Sequence, residues 1–284
     1  MRRLWRAIRR SPSGLVGIVL VGVFIFTAIA APVLAPMDPV SIDLANRLGA
    51  PTWTLEGPGA HPLGADQLGR DILSRIIWGS RITLVVAVTA VVMSGALGVL
   101  LGLLAGFLGG WAERVIMRLA DVQLSIPLML FALLIIGALG PSLFNLIIVL
   151  ALTGWTRFAR IVRGETLSLR EREFVMSVRA AGATGLRIMM RHILPNVMTA
   201  AIVVATLEVA RVVILESALS FLGMGLQPPE ASWGRMLAEG RDYIASAWWL
   251  ATFPGVAILL VVLGVNLFGD WLRDYFDPKL QENR

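Results

Sequence analysis

The sequence predicts an all-α integral membrane protein with six transmembrane helices and a folded extracytoplasmic loop after the first. Three observations carry this prediction. Of 284 residues, 57% are hydrophobic and 15% charged, and the mean hydropathy is +0.77. A soluble chain of this length is less apolar. Apolar runs of about 20 residues, enough to cross a hydrocarbon core, recur along the chain. Arginine carries nearly all of the +6 net charge, since Lys279 is the single lysine, and it gathers beside the apolar runs. A basic chain can bind nucleic acid, but this placement is the pattern of membrane orientation, so no nucleic-acid partner is expected.

The elements follow in order. Residues 1–14 hold Arg2, Arg3, Arg6, Arg9 and Arg10 without an acid, and Leu15 to Leu34 forms the first span. The arginines place the N-terminus in the cytoplasm. A cleaved signal peptide is the alternative, because Ala28-Ile29-Ala30 resembles a cleavage site. The apolar run is long for such a peptide, and the helix count needs this span. Residues 37–79 are rich in Pro and Gly and form the extracytoplasmic loop. Around it Asp38, Asp43, Glu56, Asp66 and Asp71 nearly balance Arg47, Arg70, Arg75 and Arg81. His61 has no second ligand nearby, so no metal site is expected there.

The second span, Ile82 to Leu108, carries Gly95, Gly98, Gly102 and Gly106. This small-xxx-small face suits close helix packing, with a merely flexible helix as the alternative. The third span runs from Glu113 to Ala138, with Arg118 and Asp121 placed to pair and Pro127 placed to kink it. The fourth begins at Leu143. From Arg157 to Arg191 eight arginines face three acids, so this segment is expected in the cytoplasm. Four spans from an internal N-terminus lead to the same side. The fifth span, about Asn196 to Phe221, contains Glu208, Arg211 and Glu216. The sixth starts at Trp248-Trp249, expected as an interfacial anchor, and runs to about Phe268. The tail, 270–284, is expected in the cytoplasm and is too short for a regulatory domain.

Between the fourth and fifth spans, Glu171 to Asn196 is a long polar stretch offering two short helices broken at Gly182. Phe174, Val175, Val178 and Ala181 share a side before the glycine, and Leu186, Met189, Met190 and Ile193 share one after it. Thr184 can cap the second helix, and Pro195 suits the first turn of the next span. Gly182 followed after nine residues by His192-Ile193-Leu194-Pro195 resembles the "EAA loop" of bacterial ABC importer permeases. Met176-Ser177-Val178 stand where that family has Glu-Ala-Ala, and His192 replaces an isoleucine. Glu173, one turn earlier, offers a carboxylate on nearly the same face.

Further motifs point the same way. His61 to Asp71 (HPLGADQLGRD), the run Leu219-Ser220-Phe221-Leu222-Gly223-Met224-Gly225 with Pro228-Pro229 and Ser232-Trp233-Gly234, and the ending Gly269 to Asp274 with Asp277-Pro278-Lys279-Leu280 resemble the C-type permeases of dipeptide and oligopeptide importers. The resemblance implies the type I ABC importer permease fold, with helices two to six forming an ABC transmembrane domain over 80–269, after residues 1–36 and the 37–79 loop. It implies a coupling loop at about 165–195 that docks on an ATPase, with Glu173, Met176, Ser177, Gly182, Arg187, His192 and Pro195 as its site residues. It also implies a B-type permease partner, two ATP-binding subunits or domains that hold ATP and Mg, and an extracytoplasmic solute-binding protein, all at the inner membrane.

The residues exclude some chemistry directly. A phosphate-binding P-loop needs Gly-Lys-Ser/Thr, whereas Lys279 follows Pro278, so this chain is expected to hold no nucleotide. There is no Gly-x-Ser-x-Gly, no His-Glu-x-x-His and no cysteine, so no membrane enzyme or cysteine metal site is expected. Glu208, Arg211 and Glu216 are the candidate pathway residues. Glu208 lies near mid-membrane, where a charge needs a partner or water. The Glu208–Arg211 pair reads either as a structural ion pair or as polar groups offered to a passing solute. The solute follows from the resemblance only as di- or oligopeptide, with nickel chelates, glutathione and oligosaccharides as alternatives.

Overall fold

A computed structural model describes residues 11–54 and 61–276. The cluster Arg2 to Arg10, Glu56, and the tail motif around Lys279 lie outside the described residues. Helix α1 is Pro12–Ile29, begun by Ser11, whose Oγ accepts from Gly14 N at 3.2 Å, with Pro12 in the first turn. Helix α2 is Ile72–Leu108, capped by Asp71, whose Oδ2 accepts from Ser74 N at 2.8 Å. It begins ten residues earlier than the sequence suggested, inside the stretch expected as loop. The reason is chemical. Arg75 is matched to carboxylates, so a charged first turn is tolerated within the helix.

Helices α3 (Gly110–Ser125) and α4 (Leu128–Leu139) replace the expected kinked third span. They meet at 93°, a corner rather than a kink. Pro127 lacks an N–H and holds Ile126 extended, at φ −91° and ψ 129°. Gln123 fixes the corner from outside. Its Nε2 donates to Leu152 O at 2.7 Å, and its Oε1 accepts from Trp155 Nε1 at 2.7 Å. Asp121 pairs with Arg160 of the next helix, not with Arg118 as expected, because α5 (Leu143–Arg170) brings a guanidinium against it. Among the described residues five helices are long and apolar enough to cross a membrane, and six if the bent pair counts as one span.

After α5 the short helix α6 (Glu173–Ala180) leads to α7, which runs Gly185–Phe221. The second loop helix expected from Leu186 onward is therefore the start of the fifth span. A π-turn over Met189–Ile193 joins the parts. Pro195 follows it, and the widened turn makes room for a ring that would crowd the preceding carbonyls of a regular helix. Thr184 stands at the N-cap position, but its side chain makes no capping bond. Helix α8 (Trp233–Arg241) is capped by Ser232, and α9 (Trp249–Phe276) closes the described chain.

Packing centres on α2 and α5. A Cβ on Gly98 would lie 2.4 Å from Trp155 O, one on Gly102 2.5 Å from Ala159 O, and one on Gly106 2.7 Å from Thr166 Cβ. The glycine stripe is thus a seam of near backbone contact, as its spacing suggested. The pair α1 and α9 uses the same device: a Cβ on Gly17 would lie 2.5 Å from Phe268 N, and one on Gly264 2.6 Å from Leu20 Cβ.

The segment before α2 folds onto the N-terminal end of the bundle. Asp66 pairs with Arg70 Nε at 2.6 Å and with Arg75. Glu239 of α8 meets Arg75 at 2.9 Å, Arg70 at 3.1 Å and Arg235 at 2.9 Å. His61 Nδ1 lies 3.1 Å from Asp71 Oδ1. Burial pushes the Glu239 carboxyl up, but the Arg75 and Arg70 cations outweigh it and hold it below its ordinary 4.5. Trp249 is buried and donates from Nε1 to Ala65 O at 3.2 Å, so it ties this loop down rather than anchoring at the lipid interface. Trp248 beside it stays partly exposed.

The seam predicts a sharp contrast between two glycines. Gly102→Val pushes a branched side chain into the Ala159 backbone and should cost about 1–3 kcal/mol, the usual penalty of overpacking. Gly22→Val in α1 enters open space, with nothing within 4 Å. Thermal unfolding of the purified complex should show a lowered midpoint for the first and an unchanged one for the second. Equal midpoints would show that α2 and α5 do not meet closely.

Candidate functional site

Two groups of residues singled out in the sequence are set in order by the fold. The first is the turn between α6 and α7. Gly182 takes φ +82°, a conformation that disfavours a Cβ. Its N–H donates to Arg179 O at 3.0 Å, and Ala183 N–H donates to Val178 O at 3.3 Å. These two bonds are those of a Schellman stop, which satisfies the last carbonyls of α6 and reverses the chain. No atom lies within 4 Å of a Cβ built at Gly182, so backbone conformation rather than crowding requires the glycine.

The turn is held from below. Val175, Ile188 and Ile193 are fully buried, Arg170 Nη1 donates to Gly106 O at 3.1 Å, and Gly185 faces the Phe107 ring. The expected apolar faces are only partly inward. Leu186 is 67% exposed, and Phe174 and Met176 are also exposed, so the loop shows an apolar outer surface, whereas the exposed Met190 lines a groove with Leu100, Leu103 and Met198 of the spans. Glu173, Ser177 and Arg187 are exposed beside it, Glu173 and Met176 lying one turn apart as expected. Ser177 Oγ donates to Glu173 O at 2.9 Å. His192 is half-buried, and its carbonyl accepts from Asn196 Nδ2 at 2.6 Å. Pro195 is exposed beyond the π-turn.

The second group lies in α7. Glu208 is 2% exposed, and its Oε2 accepts from Arg211 Nε at 2.6 Å. Its Oε1 lies 3.2 Å from Arg157 Nη1 of α5. The carboxylate thus joins two helices as the centre of an Arg–Glu–Arg triad. Arg211 Nη2 is buried without a partner and lies against Gly154. Arg157 is 55% exposed, so the triad reaches from the interior to an open surface. Sequence reasoning counted Arg157 only among the loop arginines. Nothing in its own segment, which also carries Arg160 and Arg163, singles it out as the partner of Glu208. Glu216 is brought to neither group. It is buried and accepts from Ser220 Oγ at 2.8 Å, with Ser217 Oγ at 3.4 Å. Among the described residues no cluster of histidine and acid side chains suits a metal ion.

Residues 98–282 match the model of a family described as "Binding-protein-dependent transport system inner membrane component". The chain belongs to this family. Residues 1–51 of the permease further match the "N-terminal TM domain of oligopeptide transport permease C". It is 42% identical over 281 residues to the "Di/tripeptide transport system permease protein DppC" of Pseudomonas aeruginosa, covering 99% of this chain and 93% of that one. It is 41% identical over 281 residues to the "Dipeptide transport system permease protein DppC" of Alkalihalophilus pseudofirmus, covering 99% and 90%. It is 39% identical over 272 residues to the "Probable D,D-dipeptide transport system permease protein DdpC" of Escherichia coli, covering 96% and 89%. The permease is therefore a multi-pass membrane component of a transport system rather than an enzyme.

The triad predicts a specific asymmetry between two variants. Glu208→Gln leaves Arg211 uncompensated in the interior and should cost about 3–5 kcal/mol, the usual loss when one partner of a buried pair is removed. Glu208→Leu with Arg211→Leu removes both buried members together and should insert and assemble as the parent does, since Arg157 can turn to solvent. Loss of assembly in the double variant, measured by copurification of partner subunits, would show that the charges themselves are required.

Proposed function

We propose that this chain is the C-type permease half of an ATP-driven, binding-protein-dependent importer of di- or oligopeptides. The observation that carries the reading is the exposed apolar surface of the Gly182 turn, which is rigidly joined to α5 and α7. An ATPase subunit would seat on Phe174, Met176 and Leu186, with Glu173, Ser177, Arg187 and His192 around them. ATP and Mg would be held by that subunit, and a pair of such subunits or domains would serve this chain and a B-type partner. The peptide assignment is supported by the names of the relatives and by the match of residues 1–51.

In this reading both termini and the 157–195 region face the cytoplasm, while the 37–71 loop and residues 222–247 face outward, towards a solute-binding protein. The domain over 80–269 carries the path, entered once the helical body begins at Ile72. Glu208 and Arg211 present polar groups to a passing zwitterion, and Arg157 extends that chemistry to an open surface. Glu216, enclosed by serines, stands nearer the outer end of the same helix.

Gly182→Val tests the coupling role. A β-branched side chain resists the left-handed backbone conformation of this turn. The variant should insert and assemble, but ATP hydrolysis by the purified complex should no longer rise with loaded binding protein. Unchanged stimulation would remove the turn from the coupling path. The orientation is checked separately with a cysteine at Ser168, which the cysteine-free chain makes a unique label. An impermeant thiol reagent should leave it unlabelled in intact cells, and strong labelling would invert the orientation.

A further inference from the structure

A cavity of about 410 Å³ lies at the N-terminal end of α2, apart from both the Gly182 turn and the Glu208 triad. Helix α2 itself fixes this separation, since its opposite end, at Phe107, meets Gly185 of the turn. The cavity falls in the size range of small-molecule sites, roughly 300–1,000 Å³, and shares their mostly apolar lining. Trp78, Val85 and Leu143 supply apolar wall, and Asp38, Arg81 and Glu230 supply the charge. These three come from separate parts of the chain: the loop before α2, α2 itself, and the segment before α8.

The three charged groups differ from those next to them. Asp66, Arg70, Arg75, Arg235 and Glu239 form ion pairs with one another. Asp38, Arg81 and Glu230 form none among the described residues. Arg81 instead lies over the Trp78 ring, 5.6 Å from its centroid. Asp38 is oriented by its own turn, Oδ1 accepting from Val40 N at 3.0 Å. One free cation and two free carboxylates thus border a single apolar hollow. Guanidinium pairs well with carboxylate, and carboxylates pair with ammonium. A ligand that satisfies all three has an ammonium at one end, a carboxylate at the other, and small apolar groups between.

We propose that this cavity is an outer entry site for zwitterionic short peptides, with the ligand ammonium on Asp38 and Glu230 and its carboxylate on Arg81. The proposal deepens the peptide-importer reading and rests on its orientation. A free amino acid shares the end-group chemistry but sets its two charges closer together. The peptide-importer reading on which the proposal rests favours the longer molecule.

The test uses the complete complex with cysteine-free partner subunits and without binding protein. Val85→Cys places one thiol in the cavity wall, and Val40→Cys serves if the first variant does not assemble. The rate of modification by a thiol reagent is measured with dialanine, N-acetyl-dialanine, dialanine amide and free alanine at millimolar concentrations. Dialanine should slow the reaction, and the two blocked peptides should each bind about tenfold more weakly, about 1.4 kcal/mol. Asp38→Asn with Glu230→Gln should erase the difference between dialanine and its acetylated form. Arg81→Gln should erase the difference between dialanine and its amide. No protection by dialanine, or protection by either blocked peptide as strong as that by dialanine, would overturn the proposal. Equal protection by free alanine would assign the cavity to amino acids and overturn it too. Protection by added binding protein without any by dialanine would make the cavity a protein contact instead. Uptake of dialanine by the wild-type complex in vesicles, with its binding protein, tests the importer reading independently of the labelled cavity.

Discussion

The close approach of α2 and α5 along Gly98, Gly102 and Gly106 is the contact on which the rest of the molecule depends. Apolar side chains gain little by leaving lipid for one another, so helices in a bilayer associate through near contact of their backbones. Glycine permits that contact here at three successive turns. The seam also fixes both ends of the molecule. At one end Gly106 O accepts from Arg170 and Phe107 touches Gly185, which seats the Gly182 turn. At the other, Asp71 caps α2 and Arg75 enters the charged cluster with Asp66 and Glu239. One helix pair thus spans the distance between the two regions proposed to meet partners.

Charge is distributed according to the same constraint. Where carboxylates and guanidinium groups are enclosed, most join ion pairs, as in the Asp66 cluster and the Glu208 triad, while Glu216 is held by serine hydroxyls instead. The pairing costs desolvation and makes removal of a single member expensive. Asp38, Arg81 and Glu230 are exposed and form no ion pair among the described residues, and in the entry-site proposal they are the groups that meet the ligand.

Much of this was legible in the sequence. The glycine stripe, the turn at Gly182 and the Glu208–Arg211 pair all report local spacing, and the structure keeps each of them. What was not legible depends on contacts between distant segments. Asp121 chose Arg160 over Arg118 because α5 arrives beside it. Trp249 left the interface because Ala65 offered a carbonyl. Arg157 joined Glu208 across two helices, and nothing within its own segment marks that partner. Helix α2 began early because Arg75 is neutralised by Asp66 and Glu239, the latter 164 positions away. The corner at Pro127 exceeds an ordinary kink because Gln123 and Trp155 brace it, again across a long sequence separation.

The central claim is that the α2–α5 seam makes the Gly182 turn and the loop before α2 one rigid body. Spin labels on cysteines placed at Ala181 and Leu44, both exposed, report the distance between them. That distance should be measured in the complete complex, first without nucleotide and then with the proposed ATPase subunits trapped in an ATP-bound state. The account predicts one narrow distribution, the same in both states. A shifted peak or a second population on nucleotide binding would show that the turn moves independently of the loop before α2 and would contradict it.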